Sequence, residues 1–216
     1  MIIRAVLFDL DGTLADTARD LVAAMNLTLA LHQRPLVNYD DFRRSVAYGT
    51  DDMVAQAFQM QTSDGSFALI KQQFLAHYQE CLGKHTVLFD GIDTVLNYLD
   101  ATIIPWGIVT NKLMRFTMPL LQTLGLNQRA KCIVAGDTTA YMKPHPEPLL
   151  KGCELLRCTP QETLYVGDYK IDVEAAKAAQ MPNVIIKNQY HRLDENPDDW
   201  QADVVIENAK ELLQLF

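Results

Sequence analysis

The chain has 216 residues, 49% of them hydrophobic and 21% charged, with a formal net charge of −8 at pH 7. That composition belongs to a globular protein large enough to bury a real core and carry a smaller insert, and its acidic balance argues against nucleic acid as the main partner. The N-terminal stretch lacks a signal-peptide pattern, no segment is long and apolar enough for a membrane span, and Cys81, Cys132, Cys153 and Cys158 show neither zinc nor disulfide spacing, so a cytoplasmic setting with reduced thiols is expected.

In chain order, Ile2-Ile3 and Ala5 to Phe8 read as a buried strand that stops abruptly at Asp9, Asp11, Gly12 and Thr13. In an open α/β sheet such strand ends form the functional crevice. Two carboxylates this close repel each other unless a cation or a shared proton relieves them, so the pair predicts a metal ion or an acid/base couple. The bland alternative is a strand simply turning, with Asp16 or Thr17 capping the next helix. An EF-hand loop is disfavoured because its later oxygen ligands are missing.

From Asp16 to about Lys84 the pattern is helical: Leu21, Val22, Met25 and Leu29 share a face, Pro35 breaks it, two short patterns meet at Tyr48-Gly49, and a longer one runs from Phe67 to Leu82. After Phe89 strands and helices alternate. Ile92 to Leu99 is helical, Trp106 to Val109 is a strand ending in Thr110-Asn111-Lys112, and a helix through Met118 to Leu124 stops at Gly125. Cys132 to Ala135 and Thr163 to Val166 are strands, with a rigid Lys143-Pro144 loop and a helix over Leu149 to Leu156 between them. An alanine-rich helix from Asp172 to Gln180, strands at Val184 and Ala202 to Ile206, and a last helix over Lys210 to Leu215 follow. This alternation predicts a Rossmann-like parallel sheet covered on both faces, with the helical block inserted after the first strand.

Four strand ends then supply one chemical set: Asp9 with Asp11, Thr110 with Asn111, Lys143, and Asp168 with Asp172. Carboxylates from separate strand ends suit Mg²⁺, while a hydroxyl, an amide and a lysine suit phosphoryl oxygens, so the set describes phosphoryl transfer. One aspartate would be the nucleophile and a neighbouring carboxylic acid the proton donor. Asp9, straight off the strand, suits the first role and Asp11 the second, although the residues alone leave that order open.

These motifs resemble those of the haloacid dehalogenase superfamily, in the group similar to phosphoglycolate phosphatases. The DxDGT motif appears as Asp9-Leu-Asp11-Gly-Thr13, the hydroxyl-bearing motif as Thr110-Asn111, the phosphate-binding lysine as Lys143 and GDxxxD as Gly167-Asp168 through Asp172. The resemblance implies that Asp9 is the nucleophile and Asp11 the acid/base group, which also lends its backbone carbonyl to Mg²⁺. It further implies that Asp168 is a direct metal ligand and Asp172 an outer or orienting one. It implies a core at 1–15 and 86–216 and a C1-type helical cap at 16–85, with linkers near Leu14 to Thr17 and His85 to Phe89. Gln180 stands where many relatives have glycine.

Segments around His77 to Gly91, Val109 to Phe116 and Asp194 to Trp200 are similar to the subfamily acting on N-acetylmuramic acid 6-phosphate. That implies a sugar 6-phosphate substrate, with phosphoglycolate as the alternative and a phosphomutase or a non-catalytic binder as rivals. In the cap, Arg43, Arg44, Tyr48 and Gly49 are candidate substrate contacts, an arginine meeting a lactyl or glycolate carboxylate. A solvated helix face is the competing reading for both arginines, and packing for Tyr48. Arg115 either reaches a substrate carboxylate or covers apolar surface, and Lys112 is expected at the cleft rim. His77, Cys81 and His85 are expected to pack rather than bind metal. The expected partner is a small phosphorylated metabolite, with no nucleic acid or membrane, and the chain is expected to be a monomer, with a dimer as the alternative.

Overall fold

The computed structural model describes residues 2–188 and 190–216. Its first strand, β1 (Ala5–Phe8), is wholly buried and is followed by a two-residue strand β2 (Ala15–Asp16). A helical block comes next: α1 (Ala18–Leu31), α2 (Tyr39–Phe42), a 3-10 turn over Arg43–Tyr48, α3 (Gly49–Phe58) and α4 (Phe67–Cys81). The strand β3 (Val87–Leu88) returns antiparallel to β2, so both crossings between the helical block and the sheet run side by side.

The remainder alternates as α5 (Ile92–Ala101), β4 (Trp106–Val109), α6 (Met114–Thr123), β5 (Ile133–Val134), α7 (Glu147–Leu156), β6 (Thr163–Gly167), α8 (Lys170–Ala178), β7 (Asn183–Ile186) and β8 (Val204–Ile206). The six-stranded sheet has the order β5-β4-β1-β6-β7-β8 and is parallel throughout. Chain order reverses at β1, which pairs with β4 on one side and β6 on the other, placing Asp9 at the topological switch point.

Alternation along β1 divides the core. Val6 and Phe8 join Ile92, Leu96, Trp106 and Leu120 on one face, while Ala5 and Leu7 join Leu149, Cys153, Tyr165 and Ala176 on the other. Phe8 and Trp106 meet edge to face with centroids 6.3 Å apart. A third apolar cluster fills the helical block around Met25, Phe58, Phe74 and Tyr78, and Phe116 from α6 and Tyr190 belong to it. No helix among the described residues is long and apolar enough to cross a membrane.

Local expectations differ at several points. Ile2 is 74% exposed and outside β1, because pairing with β6 begins only at Ala5 opposite Thr163. α6 starts at Met114, ahead of the expected Met118, and carries Pro119 inside it. The expected final helix is a 3-10 segment over Ala209–Gln214. Asp16 does not cap α1: Thr17 occupies the N-cap without a side-chain bond, and Asp16 instead accepts from the hydroxyls of Tyr39 and Tyr190 and pairs with Arg19. His77 packs with a hydrogen bond to Thr28 at 2.9 Å.

Candidate active site

Parallel pairing carries four polar strand ends to one edge of the sheet. The Asp9 amide still donates to the Val166 carbonyl of β6 at 2.9 Å, and the Thr110 amide donates to Val134 of β5 at 2.9 Å, so both side chains leave from the last ordered rungs of the sheet. Gly12 then turns the chain with φ +86°, and a Cβ there would lie 2.3 Å from Asp168 Oδ2. Only glycine lets this turn pass so close to a carboxylate.

Lys143 sits at the centre. Its ammonium lies 2.8 Å from Asp9 Oδ1, from Asp172 Oδ1 and from the Tyr165 hydroxyl. Burial works against its charge, but Asp172 and Asp9 outweigh burial and hold the lysine protonated, above its ordinary range. Tyr165 also faces Asp172 Oδ1 at 3.0 Å and the Val109 carbonyl at 3.2 Å, and burial pushes its phenol well up, so it stays neutral.

Asp9, Asp168 and Asp172 each place a carboxylate oxygen within 4.8 Å of the others, and all three are buried. Burial chiefly, against the opposing pull of Lys143, raises Asp9 to about 6. Burial, then Asp172 and Asp9, raises Asp168 well above the carboxylate range, although Thr13 donates to it at 2.6 Å. Three buried carboxylates facing one ammonium leave uncompensated negative charge, which a hard divalent cation with oxygen ligands would offset. The residues therefore fit Mg²⁺.

Asn111 is committed to the backbone of Lys143: its amide donates to the Lys143 carbonyl and accepts from the Lys143 amide, both at 2.9 Å. The structure thus gives it a positioning contact beside its place in the cleft. Lys112 does not stand at the rim as expected. Its side chain is 7% exposed and its ammonium holds Asp11 Oδ1 and Oδ2 at 2.9 and 3.0 Å. Burial opposes that charge, and Asp11 and then Tyr78 raise it. The ammonium also lies over the Tyr78 ring at 4.9 Å.

A cleft of about 490 Å³ joins these groups to the helical block. Asp9, Asp11, Thr110, Asn111, Lys143, Asp168 and Asp172 line it from the sheet side, and Tyr48, Gly49, Lys71 and Tyr78 from the other. Gly49 has φ +85°, with open space where a Cβ would point. Tyr48 donates to Glu195 at 2.5 Å, accepts from the Arg192 amide at 3.2 Å, and lies under the Arg192 guanidinium, which pairs with Asp52 at 2.7 Å. Tyr48 therefore lines the cleft while tying its roof to the segment after β7.

The three arginines named as candidate substrate contacts lie outside the cleft lining. Arg43 lies over the Tyr39 ring at 5.6 Å, Arg44 donates to the His191 carbonyl at 3.3 Å, and Arg115 lies over Phe116 at 4.6 Å, beside a separate groove between α4 and α6. None lines the cleft. Their helical context cannot reveal which way a long side chain will fold back. Sequence reasoning missed Tyr165, although a tyrosine inside the apolar run of β6 signals a buried hydroxyl in need of a partner. It also missed the hydrogen bond from Thr13 to Asp168 and the place of Lys71 in the cleft wall.

Residues 6–186 match the family model described as haloacid dehalogenase-like hydrolase. The chain is 37% identical over 216 residues to N-acetylmuramic acid 6-phosphate phosphatase of Pseudomonas putida, spanning 100% of this chain and 97% of that one. It is 40% identical over 209 residues to phosphoglycolate phosphatase of Xanthomonas campestris pv. campestris, spanning 97% and 94%. The crystal structure of a predicted phosphoglycolate phosphatase from Haemophilus somnus superposes with a TM-score of 0.87 at 24% identity, covering 99% of this chain and 97% of that one, which supports the fold. On these matches the chain belongs to the haloacid dehalogenase-like hydrolases and is a phosphatase of that family, acting on phosphorylated small molecules.

Proposed function

We propose that the protein is a Mg²⁺-dependent phosphomonoesterase working through an aspartyl-phosphate on Asp9, with N-acetylmuramic acid 6-phosphate as its substrate. The observation that carries the chemistry is the pairing of Asp9 with Lys143 at 2.8 Å beside an Asp11 held separately by Lys112. Two neighbouring carboxylates thereby have different partners and are free to take different roles. The substrate assignment rests on the 37% identity across the whole chain to the Pseudomonas putida enzyme of that name. It would place the protein in peptidoglycan recycling. The matches to phosphoglycolate phosphatases at 40% identity favour phosphoglycolate as the second reading.

In the first step Asp9 attacks phosphorus, the new Oδ–P bond forms, the bond to the leaving oxygen breaks, and Asp11 gives that oxygen its proton. Asp11 then takes a proton from water, whose oxygen attacks phosphorus and releases Asp9 as carboxylate. Lys143 and the Thr110 hydroxyl hold phosphoryl oxygens, while Asn111 fixes the backbone from which Lys143 projects. Asp9, Asp168 and the Asp11 backbone carbonyl would hold Mg²⁺, with Asp172 behind them orienting Lys143. When bound, the ion supplies positive charge against the phosphoryl oxygens.

The proposed division is a core of 1–15 and 86–216 with a cap of 16–85, hinged at the β2–β3 ribbon, so that closure excludes water from the cleft. We propose a monomer acting in the cytoplasm without nucleic-acid or membrane partners. One chain supplies every group named above, and all four cysteines are free thiols.

The test is phosphate release with and without Mg²⁺ from N-acetylmuramic acid 6-phosphate, phosphoglycolate, other sugar phosphates and an aryl phosphate, with Asp9→Asn as control. Preference for N-acetylmuramic acid 6-phosphate, lost in the control, is expected. Preference for phosphoglycolate would replace the substrate assignment. Phosphate moved to a second hydroxyl without net release would replace hydrolysis by mutase chemistry.

A further inference from the structure

Three lysines line the cleft: Lys143, Lys112 and Lys71. The first two are committed. Lys143 holds Asp9 and Asp172, and Lys112 holds both oxygens of Asp11. Lys71 projects from α4 in the helical block, and its ion-pair partner there is Asp51, in the first turn of α3. Neither residue belongs to the reacting set. The Lys71 side chain is 34% exposed and that of Asp51 54%, so the pair is solvated and exchanges partners at little cost.

Around Lys71 the wall supplied by the helical block is largely apolar, through Val46, Met53 and Leu75. Among the described residues lining the cleft, Lys71 is the one cation outside the reacting set, and Arg115 borders only the neighbouring groove. Lys71, Leu75 and Phe116 also border the neighbouring groove of about 480 Å³, beside Arg115, so this lysine stands between cleft and groove. A carboxylate on a leaving alcohol that reaches this part of the cleft wall lies beside an ammonium.

We propose that Lys71 is a specificity-determining residue that receives a carboxylate on the substrate's leaving group, displacing Asp51. The protein then selects phosphomonoesters of hydroxy-acids, or of sugars bearing an acid side chain, over neutral phosphomonoesters. This rests on the hydrolase reading above and names what that site discriminates. Asp51 occupies the ammonium until a substrate carboxylate replaces it.

The experiment compares kcat and KM for pairs that differ by the acid: N-acetylmuramic acid 6-phosphate against N-acetylglucosamine 6-phosphate, and phosphoglycolate against 2-hydroxyethyl phosphate. Wild type, Lys71→Met, Lys71→Arg and Asp51→Asn are measured with Mg²⁺. The wild type is expected to prefer the acid in at least one pair. Lys71→Met should cut that preference by about tenfold or more, mainly through KM, since an ionic contact to the leaving group is lost. Lys71→Arg should restore most of it, and Asp51→Asn should lower KM for the acid. An unchanged acid preference in Lys71→Met, or equal loss on both members of a pair, overturns the proposal while leaving the hydrolase reading intact. A wild type that releases phosphate from nothing overturns both.

Discussion

Lys112 follows the β4 motif and holds both carboxylate oxygens of Asp11, at 2.9 and 3.0 Å. Asp11 is thereby set apart from Asp9, whose partner is Lys143. If Asp11 protonates the leaving oxygen, the two Lys112 contacts fix its carboxylate in position for that task, and losing them should harm poor leaving groups most. We expect Lys112→Met to lower kcat/KM on alkyl phosphates by about a hundredfold, in the range of a general-acid contribution, and on an aryl phosphate by far less. That parameter reports the first transfer alone. Equal losses on both substrates would show that Lys112 merely supports the fold.

Metal and proton should compete at Asp9 and Asp168. Burial raises Asp9 to about 6 and Asp168 well above its ordinary range, so the folded protein binds protons there more readily than the unfolded chain does. Without metal, the stability Asp9 lends is complete below its unfolded value near 3.8 and is lost as pH rises through about 6, and Asp168 acts in the same direction. Mg²⁺ needs the ionised forms, and its binding adds stability by mass action. The rise in Tm produced by Mg²⁺ should therefore be larger at pH 7.5 than at pH 5. A thermal-shift series giving the same increment at both values would contradict this account.

What was legible in the sequence follows from how each feature is encoded. Asp9, Thr110 and Asp168 stand at the ends of short apolar runs, and a parallel sheet carries such ends to one edge whatever the loops do. Lys143 and Asp172 lie close enough to those ends to follow them. Long-range side-chain pairs were not legible. Lys112 with Asp11, Tyr165 with Lys143, and Tyr48 with Glu195 depend on packing between segments tens of residues apart. The arginines lie outside the cleft lining, and a helix pattern gives the face of a residue but not the path of a long, flexible stem. The expected linkers near Leu14 to Thr17 and His85 to Phe89 contain the two strands of the β2–β3 ribbon.

Gln180 ends the helical region after α8 with φ +55°, in the left-handed region. Its amide donates to the Lys177 carbonyl, and its side chain is exposed. A side chain in this conformation costs about 1–2 kcal/mol, part of which glycine gives back in lost unfolded-state entropy. Gln180→Gly should thus stabilise the protein by roughly 0.5–1 kcal/mol, read from the denaturant midpoint, without changing kcat. A destabilised variant would mean that the glutamine side chain makes up for its backbone strain.

Asp20 ties the helical block to its second crossing. It is fully buried in the first turn of α1, where it accepts from the amides of Gly83 and His85 at 2.7 and 2.8 Å and from the Thr86 hydroxyl at 2.6 Å. Three donors converge on one carboxylate, and the helix N-terminus favours its negative charge. Replacing it by alanine strands two amides, and a buried donor left without an acceptor costs more than the bond itself was worth. Asp20→Ala should lose about 3 kcal/mol, and Asp20→Asn a smaller part, because its NH₂ would confront a donor. Hydrogen exchange should accelerate at Gly83 and His85 ahead of the β1 amides, since the tie is local to the crossing. A loss below about 0.5 kcal/mol with unchanged exchange would show that the β2–β3 ribbon alone holds the helical block in place.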